Sequence, residues 1–308
     1  MLVKETAVTF GAAGRLTGIL SVPDRPDPSR PAFLFLNAGV THRVGPNRLS
    51  VRLARDLAEQ GFTSLRFDFS GLGDSTVRND DLPPAKSVLA EAAEAMDLVR
   101  SRSGVDRFVP IGICSGGTVA FMAAREDPRV VGAVVINAQG HLHGTDPELS
   151  AHLHSRTMAR HSWRIALFSS FRSKNWIKAL TGELDPRRIL RMMVGFPMAM
   201  ILRRKQRRER PAPTETPADP AAVLREVLNR DVHLFHIYCE ADEGLDYFHV
   251  SLGDRGPKVA SERRGRFTMI RGANHVFTLS WSQDRLTEIV GEWACTTFPG
   301  SGSAAATG

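Results

Sequence analysis

One cysteine, Cys114, stands where a chain can use it as a nucleophile. It lies in the run F-V-P-I-G-I-C-S-G-G-T-V-A-F-M-A-A, residues 108–124. A strand-like apolar piece there turns sharply into a helix-like piece, the context that presents a nucleophile on a strained backbone. Strand and helix approach closely at such a turn, so the residues two before and two after the nucleophile must be small. With Cys114 as nucleophile these are Gly112 and Gly116. With Ser115 they are Ile113 and Gly117, and Ile113 is too bulky. The spacing therefore points to Cys114. Ser115 then has a different use, because its backbone N–H, following the nucleophile, becomes an oxyanion-hole donor. The start of a helix also places the positive end of a dipole beside the sulfur, which favours the thiolate. The competing reading of Cys114 is a small buried core residue, as free cysteines commonly are; the flanking glycines argue against it.

The surrounding pattern supplies the elements that such a turn needs. Residues 7–10 and 16–22 read as two strands joined by the turn at 11–14. Ala32–Leu36 (A-F-L-F-L) is a continuous apolar run, as expected of a strand buried on both faces. A helix is predicted over 48–60, with Leu49, Leu53 and Leu57 on one side and Gly61 as its stop. Further strands are predicted over 63–69, 107–113, 130–136, 232–238 and 266–270. Further helices are predicted over 86–101, 116–125 and 283–294. Strand and helix in alternation imply an α/β fold, with a mainly parallel sheet and helices on both faces.

That rhythm breaks after Asn137. Residues 141–230 read as an inserted helical cap, carrying the basic run 203–210 and the Pro-rich piece 211–220. The expected organisation is a core over 1–140 and 231–298, a cap over 141–230 and a disordered tail over 299–308. Residues 151–210 hold fifteen Lys/Arg against three Asp/Glu, a local +12 that leaves the rest of the chain at −5 against an overall +7. The basic character thus belongs to one segment, most simply as a solvated face. Contact with phosphates of an acyl carrier or coenzyme A, or membrane-surface contact through the basic cap, are the sharper readings. No nucleic-acid partner is expected, because no recognition motif accompanies the charge. No phosphate-binding G-x-x-x-x-G-K-[ST] loop occurs either. Three cysteines, Cys114, Cys239 and Cys295, do not make a disulfide framework. The first residues lack a signal-peptide pattern, and the longest apolar stretch, 192–202, is too short to span a membrane. A reduced, cytoplasmic protein is expected. No metal site and no cofactor are expected, since the pair His141/His143 has no matching ligands.

The residues quoted above resemble the α/β-hydrolase superfamily over nearly the whole chain apart from the cap and tail. R-F-D-F-S-G-L-G-D-S at residues 66–75 resembles the strand-and-turn signature of that superfamily, with Ser70 where many members carry Arg. L-N-A-G-V-T-H-R-V-G-P at residues 36–46 is similar to the serine-aminopeptidase-like hydrolases found beside bacterial exopolysaccharide and secondary-metabolite genes. The elbow G-x-C-x-G-G resembles those of dienelactone hydrolases and polyhydroxyalkanoate synthases. The resemblance implies an α/β-hydrolase fold and the order nucleophile, acid, histidine along the chain. His275, in R-G-A-N-H-V-F-T, follows the last strand and takes the histidine place. His42, His141, His143, His152, His154, His233 and His236 fit less well. The acid should follow the strand at 232–238, where the family spacing favours Asp242, with Asp246 second and Glu240 third; Glu243 lies in the same stretch. The preceding strand end holds Asn137 and no carboxylate. The second oxyanion donor would come from Ala38 and Gly39, in the loop after Ala32–Leu36.

This set predicts acyl transfer through a Cys-His-Asp triad and an acyl-cysteine intermediate. A small-molecule ester or thioester, free or bound to a carrier or coenzyme A, is the expected partner, and hydrolysis (esterase or thioesterase) the expected outcome. An acyltransferase or a carrier-bound acyl-chain cyclase would use the same intermediate, and a non-catalytic binding protein on the same fold is the further alternative. Cap stretches 165–171 and 192–202 either line an acyl pocket or pack the cap onto the body.

Overall fold

The structure, a computed structural model, describes residues 3–78, 82–143 and 219–301. Strands β1 (Val3–Phe10) and β2 (Leu16–Pro23) form an antiparallel hairpin, and β2 pairs antiparallel with β4 (Ser64–Phe67). From there β3 (Ala32–Leu36), β5 (Phe108–Ile113), β6 (Gly132–Ile136), β7 (His233–Cys239) and β8 (Gly265–Ile270) add in parallel. The resulting eight-stranded sheet has the order β1-β2-β4-β3-β5-β6-β7-β8. It is mainly parallel, as the alternation of strands and helices predicts, and β3 and β5 lie at its centre.

Two apolar clusters, one per face, hold the layers. Because successive strand side chains point to opposite faces, Leu34 and Leu36 of β3 join one cluster, and Phe33 and Phe35 the other. The first cluster takes buried residues from α2 (Pro84–Ser103), α3 (Ser115–Glu126), α4 (Pro220–Asn229) and α5 (Glu243–Leu252). The second takes them from α1 (Leu49–Glu59) and α6 (Ser280–Thr297). Leu49, Leu53 and Leu57 do form the buried stripe of α1. Each fully buried Leu or Phe contributes roughly 1.5–3 kcal/mol by removal from water.

Two boundaries differ from expectation. Residues 220–229, grouped by sequence with the insert, form α4, whose Val223, Leu224, Val227 and Leu228 are part of the core. Asp219 caps this helix by accepting from Ala221 N–H, and Pro220 opens it. At the other end, Ser301 is held: its N–H and hydroxyl both donate to Asp27 Oδ2, at 2.8 and 3.0 Å. Residues 144–218 lie outside the described residues, and with them the basic run 203–210, the apolar stretches 165–171 and 192–202, and His152 and His154. So do residues 302–308. Among the described residues no helix is long and apolar enough to cross a membrane, and no group of three metal-binding side chains occurs.

Candidate active site

Cys114 links β5 to α3 and has φ 58° and ψ −121°, a backbone conformation that a non-glycine residue rarely adopts. The surrounding glycines explain how the turn closes. A Cβ on Gly112 would lie 2.3 Å from the carbonyl carbon of Gly116, and one on Gly116 would lie 2.7 Å from the carbonyl oxygens of Leu36 and Asn37. Neither position has room for a side chain. Ser115 is already the first residue of α3, so the residue at the apex of the turn is Cys114.

His275 lies in the loop between β8 and α6. Its Nδ1 is 2.6 Å from Asp242 Oδ2, and its ring lies near enough to the Cys114 sulfur to feel it electrostatically. The His275 pKa is raised to about 10: the hydrogen bond to Asp242 is the largest cause, the neighbouring Cys114 sulfur the next, and partial burial opposes both. Asp242 is buried and caps α5, where its Oδ1 accepts from Gly244 N–H at 2.7 Å. One oxygen therefore fixes the helix start while the other orients the imidazole. Asp246 is buried one turn further along α5, its N–H bonded to Asp242 O, and Glu240 is exposed at the end of β7. The carboxylate paired with His275 is Asp242.

The expected oxyanion donors divide. Gly39, at φ 56°, donates its N–H to Ser115 Oγ at 2.8 Å. The N–H groups of Ala38 and Ser115 have no acceptor among the described residues. Their loop is anchored from below. Asn37 Nδ2 donates to Thr41 O and to buried Asp68 Oδ1, and Asn37 Oδ1 accepts from Phe69 N–H. Arg43 pairs with Asp68 through both its N–H and its guanidinium, and with Asp74 at 2.5 Å. Asn47 Nδ2 donates to Val276 O at 3.0 Å, tying this loop to the one that carries His275.

The comparisons agree with this architecture. The family model described as alpha/beta hydrolase fold matches residues 31–169. The chain has an α/β-hydrolase fold. Solved structures similar to it include a dienelactone hydrolase from Anabaena variabilis (15% identity, 97% of this chain and 99% of that one covered, TM-score 0.56). An esterase from Pyrococcus furiosus (13%, 96% and 92%, 0.56) and a proline iminopeptidase from Mycobacterium smegmatis (16%, 95% and 98%, 0.54) are also similar. A search of curated protein sequences gave no match.

Within this α/β-hydrolase fold, one neighbour of the site escaped the sequence reading. Asn137, just after β6, is fully buried at φ 47°. Its Oδ1 accepts from Cys239 N–H at 2.8 Å, and its Nδ2 donates to His275 O at 2.9 Å and to Cys239 Sγ at 3.3 Å. It thus joins the loops of the acid and the histidine. The sequence marked this place only as lacking a carboxylate; the amide that bonds both loops was the available signal. The remaining histidines lie elsewhere. His42 belongs to the loop after β3, and His141 and His143 to a short turn after β6. His233 and His236 are in β7, where burial pushes the His236 imidazole down to about 4 and keeps it neutral.

Proposed function

We propose that the protein is an acyl-transfer hydrolase, an esterase or thioesterase, with Cys114 as nucleophile, His275 as general base and acid, and Asp242 as the group that orients the imidazole. The observation that carries this reading is the His275–Asp242 pair, bonded at 2.6 Å beside Cys114, with Cys114 at the apex of a strained strand-to-helix turn. Asp242 holds the His275 imidazole up to about 10, which makes it a strong base toward the sulfur and a proton donor to a leaving group. The dienelactone hydrolase and the esterase among the similar structures accord with ester chemistry.

In the first half-reaction the Cys114 sulfur attacks the acyl carbon. A C–S bond forms, and the carbonyl π pair becomes an oxyanion facing the amides of Ala38 and Ser115. Collapse breaks the bond to the alkoxide or thiolate leaving group, which takes the proton from His275. In the second, water attacks the acyl-cysteine while His275 takes a proton from it, and the carboxylic acid leaves with the thiolate regenerated. Thioesters, lactones and activated esters suit this cycle, because their leaving groups depart with little protonation. The need for a free thiol fits a reducing compartment such as the cytoplasm.

The test is intact-protein mass after mixing with short and medium acyl thioesters and p-nitrophenyl esters, beside Cys114→Ala. An acyl adduct that maps to Cys114 and decays in water is expected. No adduct and no turnover across the panel sinks the reading.

A further inference from the structure

The contact between Gly39 and Ser115 crosses from one half of the expected oxyanion hole to the other. Ser115 supplies one free amide from the start of α3, and Ala38 supplies the other from the loop after β3. The tip of that loop has little to hold it. Val40 is 88% exposed, and a Cβ on Gly39 would meet nothing within 4 Å. On its own side, the Ala38 carbonyl accepts from Thr41 N–H. Among the described residues the one hydrogen bond that ties residues 38–40 to the elbow is Gly39 N–H to Ser115 Oγ, at 2.8 Å.

We infer that the Ser115 hydroxyl is a positioning group for acyl transfer, which clamps the Gly39 amide so that the neighbouring Ala38 N–H and the Ser115 N–H face one point. The inference rests on the reading of Cys114 as the acyl-accepting nucleophile. Oxyanion donors act only when fixed at about 2.7–3.1 Å from the place the charge will occupy, and an exposed tip without a clamp must be ordered anew in every transition state. The clamp leaves the thiol and His275 alone, so its effect is confined to steps that create an oxyanion. It also assigns Gly39 a structural amide instead of a catalytic one.

Two reactions of the same sulfur separate these roles. Acylation by p-nitrophenyl acetate builds an oxyanion, whereas alkylation by iodoacetamide displaces iodide at a saturated carbon and builds none. Both are measured in the full chain on wild type, Ser115→Ala and Ser115→Thr, following the p-nitrophenolate burst and the mass of the alkylated protein. Ser115→Ala is expected to acylate about tenfold more slowly and to alkylate at the wild-type rate. Ser115→Thr, which keeps the hydroxyl at an exposed position, is expected to restore acylation. Equal acylation of Ser115→Ala and wild type overturns the clamp and leaves the hydrolase reading standing. A parallel fall in acylation and alkylation, or a failure of Ser115→Thr to recover, also overturns it. A wild type whose Cys114 alkylates but never acylates sinks the hydrolase reading itself.

Discussion

The carboxyl ends of β5 and β7 each bear a thiol, two strands apart in one sheet, and the two thiols live in opposite surroundings. Cys114, just beyond β5, is half-buried at a strained turn and lies beside the His275 imidazole. Cys239, the last residue of β7, is fully buried, bonds Asn274 O and Asn137 Nδ2, and is pushed up to about 12, chiefly by burial. The residue type is the same. What differs is a basic partner, access to water and the glycines that let the chain turn. On the proposed function the carboxyl end of β5 carries the reacting sulfur, while that of β7 holds the loops that carry Asp242 and His275.

The largest test of that contrast removes each sulfur. Cys114→Ala is expected to lower acyl turnover by roughly 10³-fold or more. Cys239→Ala is expected to keep turnover within about tenfold and to cost about 1–2 kcal/mol in urea unfolding. Equal losses of turnover in the two variants would erase the distinction.

Asp242 comes next. Asp242→Asn and Asp242→Ala should both lower kcat by about 10²–10⁴-fold, through a misoriented imidazole. Only the alanine should also lose the cap of α5, at about 1 kcal/mol, since asparagine caps well. Thermal melts of the two variants beside their rates separate the duties of the two carboxylate oxygens.

A smaller effect is expected at Asn137. Asn137→Ala strands the buried Cys239 N–H and removes the bond to His275 O, costing about 1–3 kcal/mol of stability. With the histidine loop released, kcat should fall about tenfold with KM little changed, as steady-state kinetics would read.

The smallest effect is in pH. His275 is raised in the folded protein from 6.5 to about 10, so the stabilisation from its charged pairing is present in full below pH 6.5 and is lost as pH rises through about 10. The gap in Tm between wild type and Asp242→Asn should therefore narrow from pH 6 to pH 10. A gap that widens over this range would show that the pairing is not the source.

Much of this was legible in the chain because it follows from local rules. The run A-F-L-F-L marked a strand buried on both faces, and G-I-C-S-G-G marked an elbow because a Cβ at either flanking glycine would strike backbone. The position of His275 followed from the superfamily's order. Less visible was α5. Its sequence begins with acids that read as a loop, although Asp242 followed by Glu243 is also how a capped helix starts. Helix α4 was hidden by the Pro-rich run before it, though Asp219-Pro220 is a start signal. The bonds of Asn137 and of the Ser115 hydroxyl had no trace in periodicity or spacing. Each is a single contact between segments tens of residues apart, created by the register of the sheet.

The placing of His275 behind β8 also sets the order in which a refolding chain regains its properties. β8 is an edge strand, paired with β7 alone, and the loop it carries must reach residues at the centre of the sheet. Contacts of such long sequence separation form late, because loop closure precedes any reward. Shielding of Cys239 from a thiol reagent and recovery of turnover should therefore appear as two kinetic phases, with turnover the slower, which makes acyl transfer a clock for the docking of the last strand.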